Sequence, residues 1–374
     1  MRSTLVAALL STLASPAAAG TVTVSTAGPI TTLQGGLDAA VPGDTVLVLE
    51  GIYNGDFDNT KSSLIVRGVG TVVLNGDGTF TGAKRCVFQN FTVNGTSTAL
   101  HLDADSHGNV LSGLTVTSTG GGTVGVWIQG SRNSLLNSTA TATNTAVLVG
   151  GAFNNVTSCV AGPTTNDDVF RVNGDRNLLR RCAASGSGDD GFEVNGRAHA
   201  LVQCTAFGSS AAGFRVGGSG SALSKCAANT NFESGATLEG DGNLLSRSLF
   251  GTEGGNAGPG ILFDGAAGNL VTGCTVSGNA GGGMDLGSVG GNAQLNHLER
   301  NRVLANTGHG ILLSSNGATN DNWIERNAVS NNTGDGIRVE SDHNVILGNS
   351  SSGNGGTALN ILGSNNLSLN NKAL

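Results

Sequence analysis

The sequence predicts an all-β fold: a right-handed parallel β-helix of about twelve rungs that begins with a short capping helix. The first observation is a repeat, because one five-residue pattern returns at steps of 22 residues as Asp168–Val172, Asp190–Val194 and Ala212–Val216. A fixed period of this size is typical of solenoids in which each repeat forms one rung. The second observation is composition, since 61 glycines supply the turn conformations that a series of short strands requires.

Two apolar rows run through the repeats. Phe170, Phe192 and Phe214 belong to the first row, and each is followed two positions later by a valine of the second row. Residues two apart on a strand point to the same side, so both rows are predicted to face the interior. The residue between them then faces outward. In other rungs the first row continues as Leu100, Val126, Val147, Ala236, Ile261, Met284, Ile311, Ile337 and Leu359.

The N-terminus has the pattern of a secretory signal peptide. It begins with Met1 and Arg2, continues with an apolar run from Leu5 to Leu13, and ends with small residues up to Ala19. The apolar run is too short to span a bilayer as a helix, and no later segment is long enough. We therefore expect residues 1–19 to be removed and residues 20–374 to form a single β-helix domain. The product is expected to be secreted, either outside the cell or into a periplasm.

Residues 20–60 are predicted to form the N-terminal cap and the first strand. Ile30, Leu33 and Leu37 share one face of a short helix. Such a helix covers the unpaired strand edges that the first rung exposes. A Pro-Gly-Asp turn then leads into Thr45–Leu49, the predicted first strand.

Asparagines recur at one phase of the repeat. Asn133, Asn155, Asn177 and Asn243 fall in step, and His199 and Ser221 occupy the two steps between the last two. Side-chain amides stacked at one corner can form hydrogen bonds from rung to rung. The spacing therefore predicts an asparagine ladder along one corner of the solenoid.

Cysteines form a second column. Six are present, and Cys159, Cys182, Cys204 and Cys226 follow one another at steps of 23, 22 and 22 residues. Stacked rungs place their Cα atoms about 4.8 Å apart, within the range that a disulfide accepts. Disulfides such as Cys159–Cys182 and Cys204–Cys226 are one alternative in an oxidising compartment. A column of reduced, buried thiols is the other alternative.

Four carboxylates are predicted to meet at one corner of two adjacent rungs, with a fifth on the outer face beside them. Asp167 and Asp168 lie 22 residues before Asp189 and Asp190, and Glu193 follows on the outer face. Like charges this close repel one another and raise the pKa of some members. Oxygen ligands, several of them carboxylates, suit Ca²⁺. We therefore predict that these five residues bind calcium; a solvated acidic corner is the alternative.

The outward row carries cations beside these acids. Arg171, Glu193 and Arg215 stand on consecutive rungs, and Trp127 lies farther along the row. Arginine binds carboxylates through two hydrogen bonds, and an exposed indole can stack on a sugar ring. The row predicts a groove for an acidic polysaccharide, with Arg171 and Trp127 as substrate-binding residues. A surface charge ladder with little effect on stability is the alternative.

Charge also limits the partners. The net charge of −7 argues against nucleic acid, which favours a basic surface. We expect a monomer whose partner is the polysaccharide substrate, with no nucleic acid and no membrane.

At these residues the chain resembles the calcium-dependent pectate lyases of polysaccharide lyase family nine. The resemblance rests on the segment Asp189–Glu193, on an acid one rung earlier (Asp167 or Asp168), and on Gly213–Gly218 one rung later. These motifs cover only about fifty residues. The order of elements up to Tyr53 is also similar to that of the family.

The resemblance implies a ligand set and a base. One of the two earlier acids, together with Asp189, Asp190 and Glu193, binds calcium, and Arg215 is the catalytic base. Glu193 replaces an aspartate of the family pattern, and Arg215 replaces a lysine. The longer arm of Glu193 still reaches a shared ion. Arginine normally keeps its proton, which makes Arg215 an unusual base.

The implied reaction is β-elimination on polygalacturonate or a related polyuronate. Calcium binds the uronate carboxylate and acidifies the proton on C5, the base removes that proton, and the bond to the C4 oxygen breaks. Two other classes stay open. A uronan C5-epimerase shares the proton abstraction but returns a proton to the opposite face, and a non-catalytic β-helix only binds glycan or calcium.

Overall fold

The computed structural model describes residues 19–252, 254–287, 292–316 and 318–374. Within them the chain winds as a parallel β-helix whose turns contribute one strand each to three sheets, called A, B and C in the order in which the chain enters them. The predicted signal peptide, residues 1–19, lies outside the described residues except for Ala19. No helix among the described residues has both the length and the apolar character needed to cross a membrane.

The strands of the three sheets are short and regular. Sheet A contains Thr21–Val24, Thr45–Val48, Ile65–Gly68, Val87–Gln89, Val110–Ser112, Ser134–Leu136, Asn155–Thr157, Leu178–Arg180, Ala200–Val202, Ala222–Ser224, Leu244–Ser246, Leu270–Thr272, His297–Glu299, Trp323–Glu325, Val345–Leu347 and Leu367–Leu369. Sheet B contains Gly51–Asn54, Val72–Asn75, Thr92–Gly95, Thr115–Ser118, Thr139–Thr141, Val160–Ala161, Ala183–Ser185, Thr205–Phe207, Ala227–Asn229, Leu249–Phe250, Thr275–Ser277, Arg302–Leu304, Ala328–Ser330, Ser350–Ser352 and Lys372–Ala373. Sheet C contains Phe57–Asn59, Gly78–Phe80, Thr98–Leu102, Val124–Ile128, Thr145–Val149, Phe170–Val172, Phe192–Val194, Phe214–Val216, Ala236–Leu238, Ile261–Phe263, Met284–Leu286, Ile311–Leu313, Ile337–Val339 and Leu359–Ile361.

The predicted register of sheet C is confirmed. Phe192 is paired with Phe214, and Glu193 with Arg215, in a parallel ladder. The rings of Phe170, Phe192 and Phe214 are buried and stacked, with centroids 4.7 and 4.9 Å apart. The apolar rows therefore form the core, and the residues between them face the outside.

The predicted count of about twelve rungs was too low, because sheet A alone has sixteen strands. Two early strands of sheet C, Phe57–Asn59 and Gly78–Phe80, interrupt the apolar pattern. Gly78 occupies the inward row between Phe57 and Leu100. A Cβ at Gly78 would lie 2.2 Å from the ring of Phe57, so that ring fills the space and the row reads as broken in the sequence.

The N-terminal cap is confirmed as a helix, Leu33–Ala39. Thr32 caps it by accepting a hydrogen bond from the backbone N–H of Gly35 at 3.1 Å, and Leu33 and Leu37 are buried. The prediction that the first strand is Thr45–Leu49 was wrong. Thr21–Val24 precedes it in sheet A and pairs with Thr45–Val48 in parallel, because its valines complete the apolar face of the first turn.

The asparagine ladder is present, with one correction. The backbone N–H of Asn133 donates to Asn154 at 2.8 Å, so Asn154 and not Asn155 is the ladder residue. Asn155 begins a strand of sheet A instead. The steps through His199 and Ser221 are confirmed, since the N–H of His199 donates to the Ser221 hydroxyl at 3.1 Å. Buried asparagine ladders also run along the other two corners, for example from Asn301 to Asn327 and from Asn306 to Asn332.

The cysteines are free thiols in this structure, and all six are buried. The Cys182 thiol donates a weak hydrogen bond to the carbonyl of Val156 at 3.3 Å. Burial raises the pKa of Cys274 to about 12. Of the two alternatives, the structure therefore contains reduced thiols that pack as small apolar groups.

Candidate functional site

The predicted site residues lie on the outer face of sheet C and at the corner that leads into it from sheet B. Arg171, Glu193 and Arg215 are directly paired on consecutive rungs. The four aspartates lie in the turns just before the first two of these strands. The parallel register therefore brings the predicted metal ligands and both arginines onto one face.

Two of the aspartates connect successive rungs. The backbone N–H of Asp190 donates to Asp168 Oδ1 at 3.0 Å, and the N–H of Ala212 donates to Asp190 Oδ1 at 2.8 Å. Both carboxylates are almost fully buried, at 0% exposure for Asp168 and 2% for Asp190. One oxygen of each side chain thus stabilises the turn below it, and the second oxygen remains for the outer face.

Arg171 lies among the acids. Its Nε donates to Asp168 Oδ2 at 2.8 Å and lies 2.5 Å from Glu193 Oε2. Its terminal nitrogen contacts Asp167. Like-charge repulsion between these carboxylates is therefore relieved by an arginine of the chain itself, which the sequence interpretation had assigned to substrate binding alone.

Burial shifts the acids toward their neutral forms. Burial first, and then the hydrogen bond and charge of Glu193, raise the pKa of Asp168 to about 8. Burial also raises the pKa of Asp190 to about 7, against the hydrogen bond from Ala212. For Glu193, burial acts to raise the pKa, but bonds with Asp168, Asn195 and Arg171 outweigh it and leave the pKa below its ordinary value. The two pKa shifts have opposite directions, so in this pair Asp168 is the carboxyl that holds its proton more firmly.

Three of the five predicted ligands fit a single cation. One oxygen each from Asp167, Asp168 and Asp189 lies within 4.8 Å of the other two. Oxygen ligands of Ca²⁺ lie at about 2.3–2.6 Å from the ion, so this separation matches the diameter of a shared coordination shell. Asp190 and Glu193 border the same cluster but are not among these three. The contact between Arg171 and Asp167 occupies part of the space that an ion requires.

Arg215 lies apart from this cluster, on the next rung. It forms an ion pair with Glu239 at 2.8 Å and lies 3.9 Å from Asp190 Oδ2. The bond with Glu239, partly opposed by burial, holds the pKa of Arg215 above its ordinary value. Its side chain is 43% exposed and borders a cleft of about 210 Å³. The cleft is also lined by Asp190, Ala212, Glu233, Thr237, Glu239, Leu262 and Asp264.

Trp127 is not in contact with the acids. It stacks on His101 with ring centroids 4.6 Å apart, and Leu148 separates it from Arg171 along the row. His101 in turn is hydrogen-bonded to Gln129 at 2.9 Å. Trp127 thus lies two rungs from Arg171 on the same face, as a half-buried ring beside the proposed groove.

The family model described as "Right handed beta helix region" matches residues 168–327 and 213–374, which together exceed half of the chain. The chain belongs to the right-handed β-helix family. The predicted handedness and fold class are therefore confirmed. The search of curated proteins gives no match.

Solved structures that resemble this right-handed β-helix are distant in sequence. The A-module of the Azotobacter vinelandii mannuronan C-5 epimerase AlgE4 is 16% identical, with a TM-score of 0.50 over 90% of this chain and 94% of that one. The catalytic domain of a GH87 alpha-1,3-glucanase is 12% identical, with a TM-score of 0.53 over 96% of this chain and 70% of that one. Pectate lyase Pel9A is 15% identical over 94% of this chain and 79% of that one, but its TM-score is 0.32. At these identities the likeness shows the fold alone, and membership of the pectate lyase family stays a prediction.

The sequence interpretation missed three carboxylates of the right-handed β-helix. Glu233, Glu239 and Asp264 line the cleft beside Arg215. Glu239 and Asp264 each stand two residues after the outward row, at Thr237 and Leu262, so the alignment of rungs could have identified them. The outward row by itself does not reveal these three acids, because Glu239 and Asp264 directly follow their strands and Glu233 lies in the turn before Ala236–Leu238.

A second acid-and-arginine segment lies on the same face, nearer the C-terminal end of the solenoid. Asp335–Val339 has the acid and glycine of Asp190 and Gly191, but an arginine, Arg338, stands at the outward position of Glu193. Asp335 accepts a hydrogen bond from the N–H of Thr357 at 2.7 Å, as Asp190 does from Ala212. Arg338 is bound by Glu340 of its own rung at 2.6 Å, whereas Arg215 is bound by Glu239 of the next rung. This second segment has only one aspartate in its turn and provides an internal control for the first.

Proposed function

We propose that this protein is an exported, calcium-dependent polysaccharide lyase that cleaves a polyuronate by β-elimination. The observation that supports the proposal is the stack of Arg171, Glu193 and Arg215 beside a carboxylate cluster on three consecutive rungs. Acids that can hold a hard cation, together with arginines that bind carboxylates, suit a polymer of acidic sugars. We include export in the proposal because the N-terminal pattern predicts a secretory signal peptide.

Asp167, Asp168 and Asp189 are the residues that would hold calcium. Their oxygens are spaced for one ion, and all are hard ligands. When bound, the ion supplies charge neutralisation to the uronate carboxylate and so acidifies the proton on C5. The shift of the Asp168 pKa to about 8 means that this carboxyl must also release its proton when a cation binds.

Arg171 then has two roles. Without the ion its one positive charge contacts Asp167, Asp168 and Glu193 and relieves part of the repulsion among these acids. A bound ion would compete with Arg171 for Asp167, and the terminal nitrogen of Arg171 would then be free to bind a sugar carboxylate on the outer face. We assign Arg171 to substrate binding on this basis, with Trp127 farther along the groove as a surface for a sugar ring.

Arg215 is the proposed base. It removes the proton from C5, the electrons of the C–H bond form the C4–C5 double bond, and the C4–O bond breaks with the leaving sugar taking the electrons. The ion pair with Glu239 opposes this role because it stabilises the protonated guanidinium. Substrate must therefore displace Glu239 from Arg215 before the proton can be accepted, and an alkaline activity optimum is expected.

A uronan C5-epimerase is the second candidate. The pKa of Asp168 is raised to about 8, mainly by burial, and Asp168 borders Glu193, which lies one rung from Arg215. A protonated carboxyl on that side is a source for the proton that an epimerase returns to the sugar. A glycan- or calcium-binding protein without chemistry is the remaining alternative.

One assay distinguishes the three functions. Polygalacturonate and alginate are incubated with the protein with calcium and with a chelator, and the ultraviolet absorbance of unsaturated products is followed. A calcium-dependent rise supports the lyase. Exchange of the C5 proton with deuterated solvent without chain cleavage, measured by NMR, supports the epimerase. Binding with neither signal supports the non-catalytic protein and contradicts the proposal.

A further inference from the structure

A row of basic residues follows the corner between sheets A and B, away from the acid cluster. Arg181, Lys225, Arg247, Arg300 and Arg326 each occupy the same position of this corner on their rung. All five have φ between 49° and 56°, a left-handed conformation that projects the side chain away from the turn. Gln203 and Gly273 fill the two intervening rungs. We call these seven positions the basic edge.

Most of this positive charge has no counter-ion. Lys225 and Arg247 have no ion pair or side-chain hydrogen bond among the described residues, and Arg181 donates only to the neutral Gln203 at 3.3 Å. Arg300 lies 3.7 Å from Glu299 and Arg326 lies 3.1 Å from Glu325, so the lower end is partly neutralised. A protein with a net charge of −7 therefore keeps an exposed positive strip.

A surface cleft opens beside the middle of the basic edge. It has a volume of about 430 Å³ and is lined by Arg247 and Arg300, by the hydroxyls of Ser246 and Thr272, and by Leu244 and Leu270. Apolar side chains suit the C–H face of a pyranose ring, and hydroxyls suit its oxygens. Arginines on either side suit the carboxylates that an acidic sugar carries.

We propose that the basic edge is a second binding site, which holds a linear acidic polysaccharide outside the catalytic groove. In each turn the chain passes from sheet A through this corner to sheet B and then to sheet C, so the basic edge lies across the rung from the groove on sheet C. The choice of a polyuronate as ligand rests on the proposed function, whereas the position of the site does not.

The length of the basic edge suits a polymer rather than a small anion. From Arg181 to Arg326 it spans six steps, about 29 Å at about 4.8 Å per rung. A pyranose unit of an extended 1,4-linked chain is of similar length to one rung, so carboxylates along the polymer meet the five cations, with gaps at the rungs of Gln203 and Gly273. Binding through several weak contacts of this kind is multivalent and falls steeply with salt.

The test compares two triple variants of the protein. Lys225→Gln with Arg247→Gln and Arg300→Gln neutralises the basic edge. Glutamine already occupies this conformation at Gln203, with φ 58°, so the fold tolerates it. Arg85→Gln with Arg132→Gln and Arg176→Gln is the matched control, because it removes three arginines with φ 53–58° from a different corner.

Binding to polygalacturonate and to alginate is titrated in the presence of a chelator, so that the metal cluster does not contribute. We expect the dissociation constant of the basic-edge variant to rise about tenfold and that of the control to stay within about twofold. Salt dependence should decrease in the first variant only. With a short oligouronate as substrate, the turnover of the basic-edge variant should equal that of the parent. With the polymer as substrate, its KM should rise.

Three outcomes overturn the inference. The first is that the basic-edge variant binds the polymer with parental affinity. The second is that both variants lose affinity for the polymer equally. The third is that the parent binds phosphatidylglycerol vesicles but neither polyuronate. If the parent binds polymer through the basic edge yet shows neither elimination nor C5 exchange, the proposed function fails and the binding site stands.

Discussion

Arg215 donates to Glu239 at 2.8 Å and lies 3.9 Å from Asp190, so the proposed base is held between two carboxylates. Glu239 lies two residues beyond Thr237, the partner of Arg215 on the next rung. This ion pair raises the pKa of Arg215, whereas a base must be able to lose its proton. The strength of the ion pair with Glu239 therefore determines the pH above which Arg215 can accept a proton in the proposed reaction.

Replacing Glu239 tests this control. Glu239→Gln removes the charge that raises the pKa of Arg215, so the deprotonated fraction at a given pH increases. We expect the activity profile to shift to lower pH and activity at pH 8 to rise several-fold. Glu340→Gln, which makes the same change beside Arg338, should leave the profile where it is. A Glu239→Gln profile that coincides with the parental one would show that Arg215 does not titrate in the reaction.

Direct replacement of Arg215 tests its role as base. Arg215→Ala should lower kcat by about a hundredfold or more, since general bases contribute at least that much. Arg215→Lys should retain part of the activity, because lysine has the lower reference pKa but loses the planar guanidinium. Calcium affinity should be unchanged in both variants. Arg338→Ala is the control and should keep parental kcat. Arg171→Ala should raise KM while leaving kcat largely intact. Parental turnover by Arg215→Ala would exclude Arg215 as the base.

Calcium binding should depend on Asp189. Asp189→Asn removes one charged ligand from the cluster, and we expect the dissociation constant for calcium to rise about tenfold or more in calorimetry. The fold should be retained, because Asp189 is only partly buried and its removal relieves repulsion. Asp335→Asn removes an acid from the second acid-and-arginine segment and should have no effect on calcium. Equal calcium affinity in Asp189→Asn and the parent would exclude this metal site.

The stability of the calcium-free protein should depend on pH through Asp168. Its pKa rises from 3.8 to about 8 on folding, so the folded state binds more protons than the unfolded state between these values. The contribution of Asp168 to the free energy of unfolding is therefore lost as pH rises from about 4 to about 8. Thermal unfolding of Asp168→Asn and of the parent in chelator should converge at low pH and diverge at high pH, with the parent less stable there. A difference that does not change with pH would contradict this assignment.

The rung register should not tolerate a one-residue insertion. An alanine inserted after Phe192 turns the inward side chains of that strand outward and separates the stacked phenylalanine rings. We expect an insoluble product, because losing a buried aromatic side chain alone costs about 3–5 kcal/mol. The control is an insertion between Gly121 and Gly122, where the turn has open space around it. Normal folding of the strand insertion, judged by solubility and circular dichroism, would contradict the register.

The solenoid could be predicted from the sequence because its determinants are local and repeated. The alternation around Phe170, Phe192 and Phe214 specifies which side of each strand faces the core, and the constant period specifies how the rungs align. The prediction failed where one rung departed from the pattern. At Gly78 the ring of Phe57 takes the place of a side chain. At the first asparagine ladder the turn residue with positive φ is Phe153, at 58°, and the residue that follows it, Asn154 rather than Asn155, is the ladder residue.

The sequence by itself determined that acids and arginines share one outward face, since an exact 22-residue step places equivalent residues on top of one another. Only the tertiary structure decided which of them pair. Arg171 lies among Asp167, Asp168 and Glu193, and Arg215 turns toward Glu239. The physical reason is that register is set by backbone hydrogen bonds along the whole solenoid. The partner of a long side chain depends instead on the turn conformation, on burial, and on the charges of the rungs above and below.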